Sequence, residues 1–292
     1  MPVMADYQQC RAGNWHLTVL AGQWNQELQE RILALVERQP ASKHPQTFEL
    51  ASGGDNESKP LYLKVFYLPP GIVMLKNLLR QSKAARFLHQ GLALSKAGFH
   101  APVTIAVGEA RRSPFSQRAF VLTVGVGGQS LVSYLHDCWS GRRPRPALAE
   151  KRKALKCLAE VIRKFHDLGF VHGDLVPSNL FISDLERGEA GFCFMDNDRT
   201  RRFPPWLPQM LWKRNLVQLN RFPLPGISLQ DRMRFMHGYL AKGKWGSKEA
   251  RLSRWLEDKT RERRKECEQI HDSVNFRELM RWNGRLRSVP DD

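Results

Sequence analysis

The spacing of apolar residues changes along the chain, and the changes mark its elements. Residues 11–20 alternate loosely and predict a strand. From Trp24 to Arg38 the apolar positions Leu28, Ile32, Leu33, Leu35 and Val36 fall on a helical period, and Pro40 ends that helix. A short strand over Thr47–Ala51, a glycine turn at Ser52–Asn56 and a strand over Leu61–Phe66 predict a hairpin. Within the second strand Lys64 lies between Leu63 and Val65, so its side chain leaves on the face opposite theirs. A long helical stretch over roughly 74–97 is rich in Leu and Ala and carries Lys76, Arg80, Lys83, Arg86 and Lys96; Gly98 and Pro102 close it.

Two more strands are expected over Val103–Val107 and Ala119–Val126, after which Gly125, Gly127 and Gly128 loosen the chain. A helix begins at Ser130–Cys138, and a basic, proline-rich linker occupies 141–146. Leu148–Leu168 carries the strongest helical signal: Leu155, Leu158, Ala159, Ile162 and Phe165 make one apolar stripe, and Gly169 suits the position just past its end. Beyond Arg199 the pattern is helical, broken at Pro204, Pro205, Pro208, Pro223 and Pro225. No internal repeat is present. Strands dominate 1–126 and helices 127–292, an α+β pattern of a strand-rich part followed by a helical one.

Chemistry concentrates directly after Gly169. The run Phe170-Val-His-Gly-Asp174-Leu-Val-Pro-Ser-Asn179-Leu-Phe-Ile182 places a carboxylate and, five residues on, a carboxamide between two apolar runs. A second carboxylate follows in Phe194-Met-Asp196-Asn-Asp198-Arg199. Two carboxylates and an amide suit phosphoryl transfer. Asp174 would accept the proton of an attacking hydroxyl, and Asn179 and Asp196 would hold Mg²⁺ as hard oxygen ligands. Lys64, in mid-strand, would contact the nucleotide phosphates. Asp198 is a secondary metal candidate, with an exposed ion pair to Arg199 as its plainer reading. His172 is expected to brace the loop by hydrogen bonds, since no second histidine stands at ligand spacing.

Composition adds the partner class. Hydrophobic residues make up 42% of the 292, and eight are Trp, which argues for a packed chain and against disorder. No apolar run reaches the ~20 residues that span a bilayer, and the first ten residues lack the basic and apolar regions of a secretory leader. The five cysteines, odd in number and never in a C-x-x-C pair, read as reduced, buried thiols rather than a zinc site. Against 29 acidic residues stand 46 Lys and Arg, a net charge of +17, which calls for phosphate-rich partners. Arg199, Arg201, Arg202, Lys213, Arg214 and Arg221, just after the acidic turn, suit an acceptor that already carries phosphates. Arg261–Lys265 reads as a solvated helix face or a contact with an anionic membrane. Trp206, Trp212, Trp245, Trp255 and Trp282 are candidates for sugar stacking or an interface, with core packing the default. No aromatic RNA-binding motif is present, so nucleic acid is not an expected partner.

The order of Lys64, the Leu148–Leu168 helix, His-Gly-Asp174-x-x-x-x-Asn179 and Asp196 resembles the protein-kinase-like superfamily. More finely, Leu61–Phe66, the helix from Lys83 to Gly98, Val121–Gly125 with Ser130-Leu131, Phe194–Arg199, Asn215–Arg221 and Asp231–Tyr239 are similar to the lipopolysaccharide core kinases of heptose or Kdo, over about residues 11–240. The resemblance implies a bilobal fold with a strand-rich N-lobe and a helical C-lobe. It implies use of ATP and Mg²⁺, an anionic lipopolysaccharide or other phosphorylated glycan as acceptor, and a cytoplasmic, peripheral place at the inner membrane of a Gram-negative bacterium.

Several residues depart from protein kinases. No Gly-x-Gly-x-x-Gly precedes Lys64, and Gly53-Gly54 is better used by a turn. No Glu lies between Lys64 and Gly108, so the usual helix partner of the strand lysine must be replaced by Gln81, Gln90 or another carboxylate. Gly173 and Val176 stand where protein kinases carry cations, which favours a sugar over a protein hydroxyl. Two rivals share these residues. One is a soluble small-molecule kinase of the aminoglycoside or choline phosphotransferase type, which needs no cationic surface. The other is a non-catalytic pseudokinase that binds anionic membrane or glycan.

Overall fold

The computed structural model describes residues 2–42, 44–50, 59–68, 81–113, 116–139, 146–183, 191–204, 206, 210–221, 227–240 and 245–269. The chain divides into two units, one of residues 1–127 with 193–199 and one of residues 128–192 with 200–292.

The first unit is built on a six-stranded antiparallel sheet in the order β1-β2-β5-β6-β4-β3. Its strands are β1 (Tyr7–Ala12), β2 (Trp15–Leu20), β3 (Gln46–Leu50), β4 (Leu61–Leu68), β5 (Thr104–Ser113) and β6 (Ser116–Val124). The single strand expected over 11–20 is the turn and second arm of a hairpin. Gly13, at φ 56°, opens a two-residue turn that a non-glycine residue would strain, and Tyr7 pairs back with Leu20. Both β5 and β6 run beyond the apolar cores that announced them.

Period-two alternation sorts the sheet's residues to its two faces. Leu63 and Val65 of β4 lie opposite Leu122 and Phe120 of β6 and join the core beneath α1 (Gln26–Arg38). Ile32 and Val36 of that helix are fully buried, each contributing roughly 1.5–3 kcal/mol. The Asn25 side chain caps α1 by accepting from the Leu28 N–H at 2.8 Å. The other face carries Phe66, Val107, Ala119 and Val121, which pack on Ala84, Phe87 and Leu88 of α2 (Lys83–Lys96). Lys64 shares this second face, as its alternation predicts. The helix expected from 74 begins, among the described residues, at Lys83, where the Ser82 hydroxyl accepts from the Ala85 N–H at 3.0 Å. Lys76, Arg80, the proline turn at 69–71 and the glycine turn at 53–54 lie outside the described residues.

The second unit is mainly helical. It contains α3 (Leu131–Trp139), α4 (Pro146–Asp167), α5 (Leu211–Leu219), α6 (Leu229–Leu240) and α7 (Ser247–Gln269). Strand β7 (Gln129–Ser130) pairs with β9 (Leu180–Ser183), which neighbours β10 (Gly191–Phe194), and β8 (Phe170–Val171) pairs with β11 (Arg201–Arg202). All five positions of the apolar stripe on α4 are buried. Lys151 of the same helix is fully buried too, and donates to Asp231 of α6 at 2.7 Å. Asp231 also accepts from the Ser228 N–H and hydroxyl and from Arg234. Burial opposes its charge, but these donors outweigh it and hold the carboxyl below its ordinary value. Both charges lose water at this contact and are compensated by each other, so the contact specifies how α4 and α6 meet.

Gly169 ends α4 at φ 83°, and its carbonyl accepts from the Phe203 N–H at 2.8 Å. A Cβ there would meet the Phe203 carbonyl oxygen at 2.1 Å. Only glycine allows the helix to stop and the chain to enter β8 within one residue. Among the described residues no helix is long and apolar enough to cross a membrane.

Candidate active site

In the first unit the chain of 193–199 lies against α2. The Phe194 N–H donates to the His100 carbonyl at 2.9 Å, and the Phe194 ring meets Phe99 edge-on at 5.7 Å. Asp196 follows in the left-handed region at φ 53°, a conformation that Asp tolerates better than most residues but that still costs energy. The Lys64 ammonium pairs directly with Asp196 Oδ1. Of the replacements considered for the absent helix glutamate, the partner found is a carboxylate, while Gln81 is engaged with His89. The nearest glutamate in sequence after Gly108 is Glu109, which accepts from the Ser82 hydroxyl and ties the start of α2 to β5.

Asp198 departs from its expected exposure. It occupies a 3₁₀ turn, Asn197–Arg199, packed on α2, and is 7% exposed. Burial and the neighbouring Asp196 carboxylate raise its pKa above the ordinary value, against the pull of Lys64, Arg199 and Lys83. Lys64 and Lys83 lie 5.5 and 5.9 Å from the centroid of the Phe66 ring, so two cations and two carboxylates share this end of the unit.

In the second unit Asp174 and Asn179 come together. The Asn179 Nδ2 donates to the Asp174 carbonyl at 2.9 Å, and the Val176 N–H donates to the same oxygen at 2.9 Å. The Asp174 N–H donates to His172 Nδ1 at 3.2 Å, the bracing expected of that fully buried histidine. Among the described residues the Asp174 carboxylate accepts no hydrogen bond.

The residues that hold this loop carry no motif of their own. Asn215 and Gln218, one turn apart on α5, reach the backbone of His172, Gly173 and Leu175. Behind them His166 Nε2 donates to Asn215 Oδ1 at 3.3 Å, and His166 Nδ1 accepts from the Tyr239 hydroxyl at 2.9 Å. Enclosure pushes the His166 pKa down to about 4, against the Asn215 hydrogen bond, so the ring is neutral at pH 7. A helical i, i+3 pair of amides facing an acidic loop was the available signal for Asn215 and Gln218.

Other expectations resolve side chain by side chain. Arg202 donates to the Leu168 carbonyl at 3.2 Å and lies over Phe170. Within 261–265, Arg261 pairs with Glu257 on an exposed face, but Arg264 donates to the carbonyls of Asn220 and Arg221, capping the end of α5. Trp206 and Trp255 are not core residues: they are 79% and 39% exposed, and Lys213 sits 5.4 Å from the Trp255 ring. Trp282 lies outside the described residues. Cys10 is exposed on the edge strand β1, against the expectation of burial, whereas Cys193 is buried and its thiol is pushed up to about 12 by burial. An apolar cavity of about 140 Å³ in the second unit is lined by Leu131, Leu135, Pro177, Leu216, Met236 and Leu256, among others. Arg232 Nε and Ser253 Oγ, on two of its lining residues, are buried without a hydrogen-bond partner among the described residues.

A strand-rich unit with a lysine–aspartate pair, followed by a helical unit with a His-Gly-Asp loop, is the architecture of a kinase-type phosphotransferase. The family model described as "Lipopolysaccharide kinase (Kdo/WaaP) family" matches residues 75–239, more than half of the 292. The chain belongs to this family and is a lipopolysaccharide kinase, a class that uses ATP; the aminoglycoside-type and non-catalytic readings give way to it. Among solved structures the chain is similar to "WaaP in complex with acyl carrier protein", with a TM-score of 0.54 and 21% identity over 80% of this chain and 92% of that one. At that identity the likeness speaks for the fold. No curated protein matches the chain.

The low pKa of His166 fixes a pH dependence. Its folded value lies below the unfolded 6.5, so the unfolded state binds more protons between those values. Stability from this group is complete above pH 6.5 and is lost as pH falls toward about 4. The loss amounts to roughly 3 kcal/mol. Thermal melts from pH 7 to pH 4 should show this slope, and His166→Gln should flatten it.

Proposed function

We propose that this kinase transfers the γ-phosphoryl group of ATP to a hydroxyl of heptose or Kdo in the lipopolysaccharide inner core. Asp174 orients the sugar hydroxyl and accepts its proton. Asn179 and Asp196 hold Mg²⁺, and Lys64 neutralises charge on the nucleotide phosphates. The observation that carries this reading is the state of the loop. Asn179 commits its Nδ2 to the Asp174 carbonyl, which leaves its Oδ1, a hard oxygen donor, for a metal, and leaves the Asp174 carboxylate for the acceptor. The donor set fits Mg²⁺, which takes one or two protein oxygens and completes its shell with phosphate and water. When bound, Mg²⁺ would supply charge neutralisation on the phosphates.

The acceptor is anchored in a membrane and carries phosphates, and the chain's charge of +17 suits it. Exposed Arg199, Arg201, Arg202 and Arg214 supply cations for those phosphates. We place the reaction at the cytoplasmic face of the inner membrane, with peripheral contact to anionic lipid. A second partner is an acyl carrier protein, the class bound in the related structure. The apolar cavity beside Pro177 supports it, since an alkyl chain gains most from such a surroundings. An acyl-loaded carrier protein should then co-elute with the chain in size exclusion, and an unacylated one should bind more weakly; equal binding of both would remove the cavity from this role.

Three substitutions and one chelation test the roles. Asp174→Asn and Asp196→Asn, the second keeping a residue that tolerates the left-handed backbone, should each lower transfer from ATP to core lipopolysaccharide by about 10³-fold or more while the chain stays folded. Lys64→Ala should raise the KM for ATP more than it lowers kcat. EDTA should abolish turnover and any thermal stabilisation by ATP, with Mg²⁺ restoring both. Full turnover in Asp174→Asn would exclude the base assigned here.

A further inference from the structure

Asp174 is flanked by peptide groups that are held by side chains. The Asn215 Oδ1 accepts from the His172 N–H at 2.9 Å, and its Nδ2 donates back to the carbonyl of the same residue. Its second Nδ2 hydrogen goes to Gln218 Oε1 at 2.9 Å. That oxygen also receives the Leu175 N–H at 3.3 Å, while Gln218 Nε2 donates to the Gly173 carbonyl at 3.1 Å. With His166 on its second lone pair, every donor and acceptor site of Asn215 is used, and the network admits one orientation of each amide.

The geometry has a specific consequence at Asp174. The peptide before it is held at the Gly173 carbonyl by Gln218 and at the Asp174 N–H by His172. The peptide after it is held at the Asp174 carbonyl by Val176 and Asn179 and at the Leu175 N–H by Gln218. With both flanking peptides pinned, φ and ψ of Asp174 are set, and only side-chain rotation remains to aim the carboxylate. Gly173 makes this necessary, because a glycine next to the base would otherwise leave the loop loose. Resting on the reading of Asp174 as the base, we propose that Asn215 and Gln218 are positioning residues for phosphoryl transfer. They touch neither nucleotide nor acceptor in this role; they hold the loop in the conformation from which Asp174 acts.

Carboxamides are required chemically. His172 presents a donor and an acceptor to residue 215, and a carboxylate there would set oxygen against oxygen at a site 1% exposed. Gln218 is half-buried, so its substitution disturbs packing less than that of Asn215.

The test uses the full-length enzyme, ATP and core lipopolysaccharide, with melting temperatures measured beside the kinetics. Gln218→Ala should fold and lose about 10- to 100-fold in kcat, with the KM for ATP within about twofold of wild type. Gln218→Glu, which still accepts from Leu175 but no longer donates to Gly173, should fall between. Asn215→Asp should be no better than Asn215→Ala. In an Asp174→Asn background, Gln218→Ala should lower the residual rate by no more than about twofold, because the two act through one group. A folded Gln218→Ala with wild-type kcat, or the same fold-loss in the Asp174→Asn background, would overturn the proposal and leave the base reading intact. Wild-type turnover in Asp174→Asn alone would instead end the base reading, and this inference with it.

Discussion

An acidic side chain can act as a base only if the backbone beneath it stays still, and here that backbone contains a glycine. The second unit meets this constraint with the Asn215–His172 pair, an amide exchanging two hydrogen bonds with one residue as a neighbouring strand would. The pair continues outward through His166 to Tyr239 of α6 and sideways to Gln218. Its anchoring side chains are neutral: His166 is uncharged at pH 7, and the Asn215 and Gln218 carboxamides carry no ionisable group. A loop held this way is insensitive to salt, and to pH as long as His166 stays neutral. A charged anchor would have brought a desolvation penalty into the same space.

The first unit solves a different problem with charge. Without a helix glutamate, Lys64 is held by Asp196, which sits in the left-handed region just before the Asn197–Arg199 turn packed on α2. The lysine is thereby pre-set on the α2 face of the sheet. The carboxylate that holds it is also the proposed metal ligand, so binding of metal and phosphate would exchange one partner of Lys64 for another. Burial of Asp198 beside this pair raises the local cost of negative charge, which a divalent cation would relieve.

Much of the architecture follows from periodicity. The apolar stripe on α4, the face chosen by Lys64 and the progression from strands to helices are direct consequences of side-chain spacing, and the family is carried by the motif between Phe170 and Arg199. Where tertiary contacts decide, the pattern misleads or is silent. The β1–β2 turn is hard to see because β1 is largely polar and exposed, so only Trp15, Leu17 and Val19 of β2 show a strand's alternation. Asp198 carries a charge that suggests solvent, yet its turn is folded under α2. Cys10 looks like a small hydrophobe but lies on an edge strand. Asn215, Gln218 and Arg264 have the composition of an ordinary polar helix surface, and only the fold brings them to backbone groups some forty residues away in sequence. The sequence therefore names the loop while leaving unnamed what holds it.

The central claim is a transfer from ATP to a sugar hydroxyl, and the product decides it most directly. Purified chain, [γ-³²P]ATP and Mg²⁺ are incubated with core oligosaccharides that contain both heptose and Kdo or Kdo alone, and the products are separated and weighed by mass spectrometry. The account predicts an oligosaccharide heavier by one phosphoryl group, labelled on an inner-core sugar, with the pair of acceptors telling heptose from Kdo. Label found only in free phosphate or on protein, with every oligosaccharide unchanged, would contradict it.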